Sequence, residues 1–223
     1  MHQRKSKKLL IYFFLLIIIS STNNISLNNL EFQKVRNIEV SGLSEIENSL
    51  IIERIKNLNL NNIFFINKKE INNLMNSNPL IEKYQIFKNY PSAIKIMVKK
   101  TNFIAKINFN NETFVIGSNG KLIPNNFQET DLPYIFGKPQ IQEFLIFKQI
   151  IDKSKFSFEE IDSLFFFPSK RWDIKLKNNI LLKLPHQSTT ASLDYAYEFL
   201  KENNIGKFTT VDIRIDNQII LNE

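Results

Sequence analysis

The chain has 223 residues and contains no cysteine, which excludes disulfide bonds, thiolate zinc sites and cysteine nucleophiles. Its formal net charge is +7, but four of the basic residues lie within the first eight positions, and the rest of the chain is nearly balanced. A nucleic-acid groove needs basic residues concentrated on the folded part, so we predict no nucleic-acid partner.

The amino terminus joins a basic tip, residues 1–8, to an apolar run. Counted as far as Thr22, the run gives about 14 residues, or roughly 21 Å of helix, against a hydrocarbon core of about 30 Å. Because basic residues stay on the cytoplasmic side, the flank predicts an uncleaved membrane anchor over residues 9–25, with the rest of the chain exported. The anchor residues are Leu9, Leu10, Ile11, Tyr12, Phe13, Phe14, Leu15, Leu16, Ile17, Ile18 and Ile19.

Two other interpretations of this segment remain open. A cleaved signal peptide fits the short run, although no Ala-x-Ala-like site follows it. A buried core helix fits less well, because the run is apolar on every side and carries a basic flank. Residues 26–33 are polar with scattered apolar positions, and they predict a spacer before the first folded unit.

Residues 34–101 predict a small α+β unit. Ile38 and Val40 alternate with polar residues in a first strand. Ser44 and Glu47 then have the spacing of a capping box, which predicts the start of a helix that runs to about Leu58. The predicted buried positions of this helix include Ile46, Leu50 and Ile55.

A second helix and two strands complete this unit. Asn67 and Glu70 have the same capping spacing, and Pro79 predicts the end of the helix. Two alternating strands around Ile86 and Ile96 follow, joined by a turn that contains a proline. The order strand, helix, helix, strand, strand predicts two helices packed against one sheet.

Residues 102–223 predict a mostly antiparallel sheet with a few helices. The segment “RWDIKLKNNILLKLP” contains two apolar sets, and only a three-residue loop, residues 177–179, places both sets on one face. That register requires a left-handed Asn179 and sets Asp173 opposite Lys183 as an outer pair. An amphipathic helix over residues 188–203 follows, with Leu193, Ala196, Tyr197 and Leu200 on one face.

The end of the chain alternates as a half-buried strand. Val211, Ile213 and Ile215 are predicted to face the core, and Asp212, Arg214 and Asp216 are predicted to face outward, toward solvent or an arriving partner chain. We expect this strand to leave one edge open, where a foreign strand can add by backbone hydrogen bonds. Arg214 is the predicted anchor for a partner carboxylate, and a simple pairing with Asp212 or Asp216 is the alternative.

The first unit, opened by “VRNIEVSGL” and closed by “YPSAIKIMV”, resembles a POTRA domain. The whole chain resembles the FtsQ/DivIB family of bacterial cell division proteins, in which a basic tip, an anchor, a POTRA domain and a β domain follow in this order. “LPYIFG”, “RWDIKLKNN” and “VDIR” resemble the Leu-Pro…Gly element, the tryptophan hairpin and the terminal Asp-Leu-Arg strand of that family.

The sequence departs from the family pattern at three positions. Lys100 and Phe103 stand where the family usually has an acidic residue and a proline. Gly117 stands where it usually has an aspartate. These positions have a structural character, so the departures weaken the match without contradicting it.

The resemblance implies a non-enzymatic scaffold that binds the division proteins FtsB and FtsL outside the cytoplasmic membrane and helps to control septal wall synthesis. It further implies a single-pass protein of the bacterial inner membrane, with a cytoplasmic amino terminus, a periplasmic bulk and a position at midcell. The contact roles carried over by this resemblance fall on Arg214, Ile215 and Asn217, and more weakly on Lys170 and Arg171.

Two alternatives have a different function. Another exported assembly protein of the POTRA type should show repeated units or a long barrel, and this sequence shows neither. A secreted hydrolase that uses carboxylates is the second alternative, since Asp and Glu are plentiful. No nucleophile elbow, Gly-rich phosphate loop or HExxH motif occurs, so we predict no catalytic residue, metal ligand or cofactor.

Overall fold

The computed structural model describes residues 3–22, 34–58, 60, 63–64, 66–125, 131–202, 208–215 and 218–222. The chain divides into two compact units. The first consists of Met1–Asn78 and Lys83–Lys99, and the second of Pro79–Glu82 and Lys100–Glu223.

Helix α1 spans Gln3–Thr22 and contains the predicted anchor run. The eleven side chains from Leu9 to Ile19 are each 46–73% exposed. Among the helices of the described residues, none combines the length and the apolar character that a membrane crossing requires. Residues 23–25 of the predicted anchor and the predicted spacer, residues 26–33, lie outside the described residues.

The described residues of the first unit continue with one three-stranded sheet and two helices, in the predicted order strand, helix, helix, strand, strand, and residues 81–82 and 100 of this sheet are grouped with the second unit. The sheet order is β1–β3–β2, and β1 and β3 are parallel. The elements are β1 (Asn37–Ser41), α2 (Glu45–Lys56), α3 (Lys68–Ser77), β2 (Ile81–Asn89) and β3 (Ala93–Lys100).

Directly after β1, the backbone at Gly42 comes very close to the backbone of β3. Gly42 has φ +112°, and a Cβ atom at this position would lie 1.8 Å from the carbonyl oxygen of Val98. Only glycine fits here, because any side chain would collide with backbone and strain φ at the same time. The glycine after the first strand is therefore what lets the chain turn into α2 beside β3.

The predicted capping box of α2 is confirmed. The Ser44 hydroxyl accepts a hydrogen bond from the Glu47 amide at 3.3 Å, and the Glu47 carboxylate accepts one from the Ser44 amide at 3.1 Å.

The predicted inner face of α2 is partly wrong. Ile55 is buried as expected, but Ile46 and Leu50 are 76% and 51% exposed. Ile51 is buried together with Ile55, so the buried stripe lies one residue, or about 100°, further around the helix.

The second unit is built on a nine-stranded sheet with the order β12–β11–β10–β9–β8–β7–β4–β5–β6. Three neighbouring pairs are parallel, β4 with β7, β7 with β8 and β10 with β11, and the others are antiparallel, as predicted for most of the sheet. The strands are β4 (Phe103–Phe109), β5 (Glu112–Gly117), β6 (Leu122–Pro124), β7 (Tyr134–Phe136), β8 (Ile161–Phe166), β9 (Trp172–Leu176), β10 (Leu181–Lys183), β11 (Thr210–Asp212) and β12 (Ile220–Asn222).

Helices α4 (Ile141–Lys153) and α5 (Thr190–Glu202) contribute to one core with the sheet, and a short 3-10 turn (Phe158–Glu160) precedes β8. Within this core the rings of Phe147 and Trp172 stack at 4.8 Å with an interplanar angle of 6°. Because the buried residues of both helices join the inward residues of the strands in one cluster, the opposite face of the sheet is available for polar side chains.

The predicted register of the β9–β10 hairpin is confirmed. The Leu176 amide donates to the Ile180 carbonyl at 2.9 Å, and Asn179 has φ +69°. Asp173 lies opposite Lys183, as the apolar pattern required. The expectation of an exposed pair is wrong, however, because the Asp173 side chain is buried and accepts hydrogen bonds from Arg171 and from the Leu184 amide.

Candidate partner-binding edge

The terminal strand β11 is shorter than the sequence pattern predicts. It ends at Asp212, whose side chain accepts a hydrogen bond from the Arg214 amide at 3.1 Å. The Gln218 amide then donates to the Ile215 carbonyl at 3.2 Å, so the chain turns back after the strand. The predicted strand is therefore wrong for Ile213 to Ile215, and Asp216 lies outside the described residues.

Both sides of β11 are occupied by the chain itself. On one side β11 pairs in parallel with β10, and on the other it pairs antiparallel with β12, where Asp212 lies opposite Ile220. The Thr209 amide donates to the Asn222 carbonyl at 2.9 Å and closes this pairing. The predicted open edge on the strand of residues 211–215 is thus wrong, and β12 takes its place as the last strand of the sheet.

A sequence signal for β12 exists, although the pattern analysis missed it. Asp216 and Asn217 are favoured turn residues, and three apolar residues, Ile219 to Leu221, follow them. A strand of three residues is too short to show an alternation by itself.

Asp212 is not an outward, solvated residue as predicted. It is only 8% exposed. The Arg214 guanidinium donates hydrogen bonds to its carboxylate, with Nε 2.9 Å from both oxygens and Nη2 2.6 Å from Oδ2. Arg214 lowers the pKa of Asp212 mainly through this hydrogen bond, while burial opposes the shift and Lys183 adds to it. The same pair raises the pKa of Arg214.

Charged side chains form a row across the face of the sheet opposite the core that contains α4 and α5. Asp173, Lys183 and Asp212 lie opposite one another on β9, β10 and β11. Arg171 binds Asp173 at 3.1 and 3.2 Å, as Arg214 binds Asp212. Both buried carboxylates are therefore neutralised by an arginine, with Lys183 between them, and the row ends beside Ile220 of β12.

The two weaker site predictions separate in the structure. Arg171 belongs to the charged row and lies over the Phe167 ring at 4.3 Å. Lys170 has φ +60°, and its Nζ lies 3.4 Å from a carboxylate oxygen of Glu143 on α4. Arg171 is thus on the charged row that leads to β12, and Lys170 is directed toward α4.

Apolar side chains are exposed where the chain turns from β11 to β12. Ile215, predicted to face the core, is 52% exposed because the chain has left the strand and no longer alternates. Val211 and Ile213 are buried as predicted. Ile220 and Leu221 of β12 are also exposed. Asp216 and Asn217, two further predicted contact residues, lie outside the described residues.

The outer edge of β12 is the end of the sheet in the part of the chain that the structure describes. The Asn222 carbonyl points to β11, because it accepts the hydrogen bond from the Thr209 amide. Backbone groups of successive residues alternate in direction along a strand, so the N–H and C=O groups of Leu221 point away from the sheet. This arrangement can accept one further strand.

Metal chemistry receives no support from the described side chains. Across those ranges, no three or more His, Cys, Asp or Glu side chains come together in a way that could hold a metal ion.

Comparison with known families divides the sequence near residue 100, where the second folded unit takes over, although residues 79–82 of that unit lie within the first family match. Residues 33–100 match the model of the POTRA domain, FtsQ-type. Residues 105–214 match the model of the cell division protein FtsQ/DivIB, C-terminal. The turn after Arg214 and strand β12 lie beyond the matched segment.

Two relatives found by sequence agree with these matches. The cell division protein FtsQ of Rickettsia bellii is 24% identical over 197 residues, which cover 83% of this chain and 70% of the relative. The cell division protein DivIB of Clostridium botulinum strain Hall is 30% identical over 91 residues, 41% of this chain and 36% of the relative. The solved extracytoplasmic domain of Geobacillus stearothermophilus DivIB is 12% identical over 44% of this chain and 85% of that chain, with a TM-score of 0.31.

Proposed function

Because its sequence matches both family models, the chain belongs to the FtsQ/DivIB family of bacterial cell division proteins, and we propose that it is a non-enzymatic divisome scaffold that binds FtsB and FtsL through the outer edge of β12. In this role it links early and late division proteins and helps to control septal wall synthesis. The observation that carries the proposal is the N–H and C=O pair of Leu221, which the alternation of the strand directs away from β11.

Strand addition explains how a short edge can recognise a partner. Backbone hydrogen bonds supply affinity for any extended segment, and side chains beside the edge select the sequence. Here the exposed Ile215, Ile220 and Leu221 offer apolar contacts to the incoming strand. Asp212 and Arg214 are already joined, so a partner carboxylate would bind the part of the guanidinium that Asp212 leaves uncovered.

The charged row also supports the edge by holding the neighbouring strands in register. Its members hold β9, β10 and β11 in register through two arginine–carboxylate pairs and Lys183. A rigid row keeps β12 in place before the partner arrives, which lowers the cost of ordering on binding. Arg171 acts on the partner through this row in our proposal, and Lys170 acts only through its charge.

We further propose that α1 attaches the chain to the inner membrane, with the folded units in the periplasm and the protein at midcell. Its exposed apolar side chains, Leu9 to Ile19, directly follow Lys7 and Lys8. Lysines at the end of an apolar helix keep their charges in the interface while their stems lie along the lipid. The lipid bilayer is then a second partner of the chain.

A matched pair of substitutions tests the edge. Leu221→Ala and Leu221→Pro both remove the leucine side chain, but only the proline removes the outward N–H group. We expect Leu221→Ala to retain most of the binding of the cognate FtsB–FtsL complex in a pull-down by the full chain, and Leu221→Pro to lose it. Equal capture by the two variants, with unchanged circular dichroism, would exclude strand addition at β12.

A further inference from the structure

We propose that β2 is a self-complementary edge through which two copies of this chain pair antiparallel, joining two three-stranded sheets into one of six strands. Strand β2 has nine residues and ends the sheet order β1–β3–β2. Within the residues that the structure describes, no strand pairs with its other side. Edge strands are usually kept short, because a long row of backbone donors and acceptors is a template for another strand.

Two hydrogen bonds show which backbone groups of this segment face outward. The Leu80 carbonyl accepts a hydrogen bond from the Thr101 amide at 2.9 Å and so faces β3. The Ile81 carbonyl accepts one from the Asn119 side chain at 2.9 Å and so faces the other way. By alternation, the N–H and C=O groups of Lys83, Gln85 and Phe87 face the outer edge.

The length of β2 defines one natural centre for a symmetric pairing. Gln85 is the middle residue of Ile81–Asn89, so a two-fold axis through Gln85 pairs Lys83 to Phe87 with the same residues of the copy, while the Ile81 carbonyl stays bonded to the Asn119 side chain. Lys83 then lies opposite Phe87 of the second copy, and Gln85 lies opposite Gln85. The register therefore uses the outward backbone groups of Lys83, Gln85 and Phe87 in paired hydrogen bonds.

The charged residues of β2 also favour a two-fold axis at Gln85. With the axis at Gln85, Glu82 lies opposite Lys88 of the second copy, and symmetry forms this pair twice. An axis at Tyr84 or Ile86 places each charged residue opposite an uncharged one. Of these three registers, the one centred on Gln85 is therefore the one with complementary charges.

The two charges are held in place at the ends of the strand. Oε2 of Glu82 accepts hydrogen bonds from the hydroxyls of Ser118 at 2.7 Å and Thr101 at 3.2 Å. Nζ of Lys88 donates to the Phe64 carbonyl at 3.1 Å. Charges that are fixed in this way favour one register and disfavour slipped ones, whereas the backbone hydrogen bonds provide the affinity.

The outward face of the strand suits the same pairing. Phe87 is exposed on the face that also carries Lys83. In the proposed register the lysine stem lies across the phenylalanine ring of the second copy, with the ammonium group near the ring face. Each contact occurs twice, so two exposed apolar rings lose contact with water.

A cysteine at the axis tests the proposal, because the chain has no cysteine of its own. Opposite Cα atoms of a hydrogen-bonded pair lie about 5.5 Å apart, within the range of a disulfide. Two copies of residue 83 would lie about 14 Å apart in this register. In the purified full-length chain under mild oxidation, Gln85→Cys should give roughly tenfold more disulfide dimer than Lys83→Cys. Equal yields from the two variants would overturn the proposal.

Charge reversal tests the register independently of the backbone. In the Gln85→Cys background, Lys88→Glu places a carboxylate opposite Glu82 of the second copy. This repulsion occurs twice in the dimer and should reduce the dimer yield. Mixing this chain with one that carries Glu82→Lys restores both ion pairs, so the mixed dimer should form in preference to either homodimer. The proposal is wrong if Lys88→Glu leaves the yield unchanged, or if mixing restores nothing while both variants keep the circular dichroism of the parent.

Discussion

Arg214 and Asp212 form a closed pair at the end of β11, in which one carboxylate accepts the backbone amide and the guanidinium of the same arginine. The backbone bond ends the strand, and the side-chain bonds bring the carboxylate into a site that is almost fully buried. The chain is then directed into the turn that leads to β12. The pair therefore determines where the edge of the sheet lies.

Asp212→Asn should destabilise the protein. The amide has the shape of the carboxylate but lacks its charge, so the hydrogen bonds to Arg214 weaken. Hydrogen bonds to charged groups contribute about 1.5–3 kcal/mol, and we expect a loss of free energy of unfolding of that order. Urea unfolding of both proteins at pH 7 measures it, and a change well below about 1 kcal/mol would contradict the structural role of the pair.

The same pair predicts a pH dependence of stability. Because the pKa of Asp212 is lowered in the folded protein, its contribution is fully present above the pKa of the unfolded chain, about 3.9. The contribution is lost as the pH falls through the lowered pKa of the folded state. The difference in Tm between wild type and Asp212→Asn should therefore be constant near neutrality and shrink below about pH 4. A difference that grew on acidification would be inconsistent with this sign.

Phe147→Ala should strongly destabilise the second unit. The ring is buried and stacked on Trp172, and removing a buried aromatic ring costs about 3–5 kcal/mol. Ile146→Ala is the matched control on the same helix, because its side chain is exposed and should change stability by about 0.5 kcal/mol or less. Similar losses of free energy of unfolding for the two variants would contradict the orientation of α4.

Substitutions can also test which face of α2 is buried. Ile51→Ala removes a buried side chain and should cost about 2–4 kcal/mol. Ile46→Ala removes an exposed one and should be nearly neutral. The sequence pattern alone predicts the opposite importance for Ile46, so thermal unfolding of both variants distinguishes the observed helix phase from the predicted one.

Features that depend on neighbouring residues could be predicted from the sequence. The capping box of Ser44 and Glu47 and the left-handed Asn179 follow from local chemistry, and both are present. The β9–β10 register follows from two apolar sets that must share one face.

Features that depend on distant pairing could not be predicted. A stripe through Leu50 and a stripe through Ile51 both satisfy a helical period, and only the sheet beneath α2 selects the second, with Ile51 and Ile55 buried. Asp212 alternates with apolar residues as an exposed residue would, but the arginine two positions later makes its burial tolerable. Strand β12 exists only because β11 offers it an edge.

The most direct test of the central claim is the hydrogen exchange of the Leu221 amide, measured with and without the cognate FtsB–FtsL complex. We predict that this amide exchanges freely in the isolated protein and becomes protected by at least about tenfold in the complex, since a partner strand would accept its hydrogen bond. Unchanged exchange at Leu221 in a complex that demonstrably forms would contradict strand addition at β12.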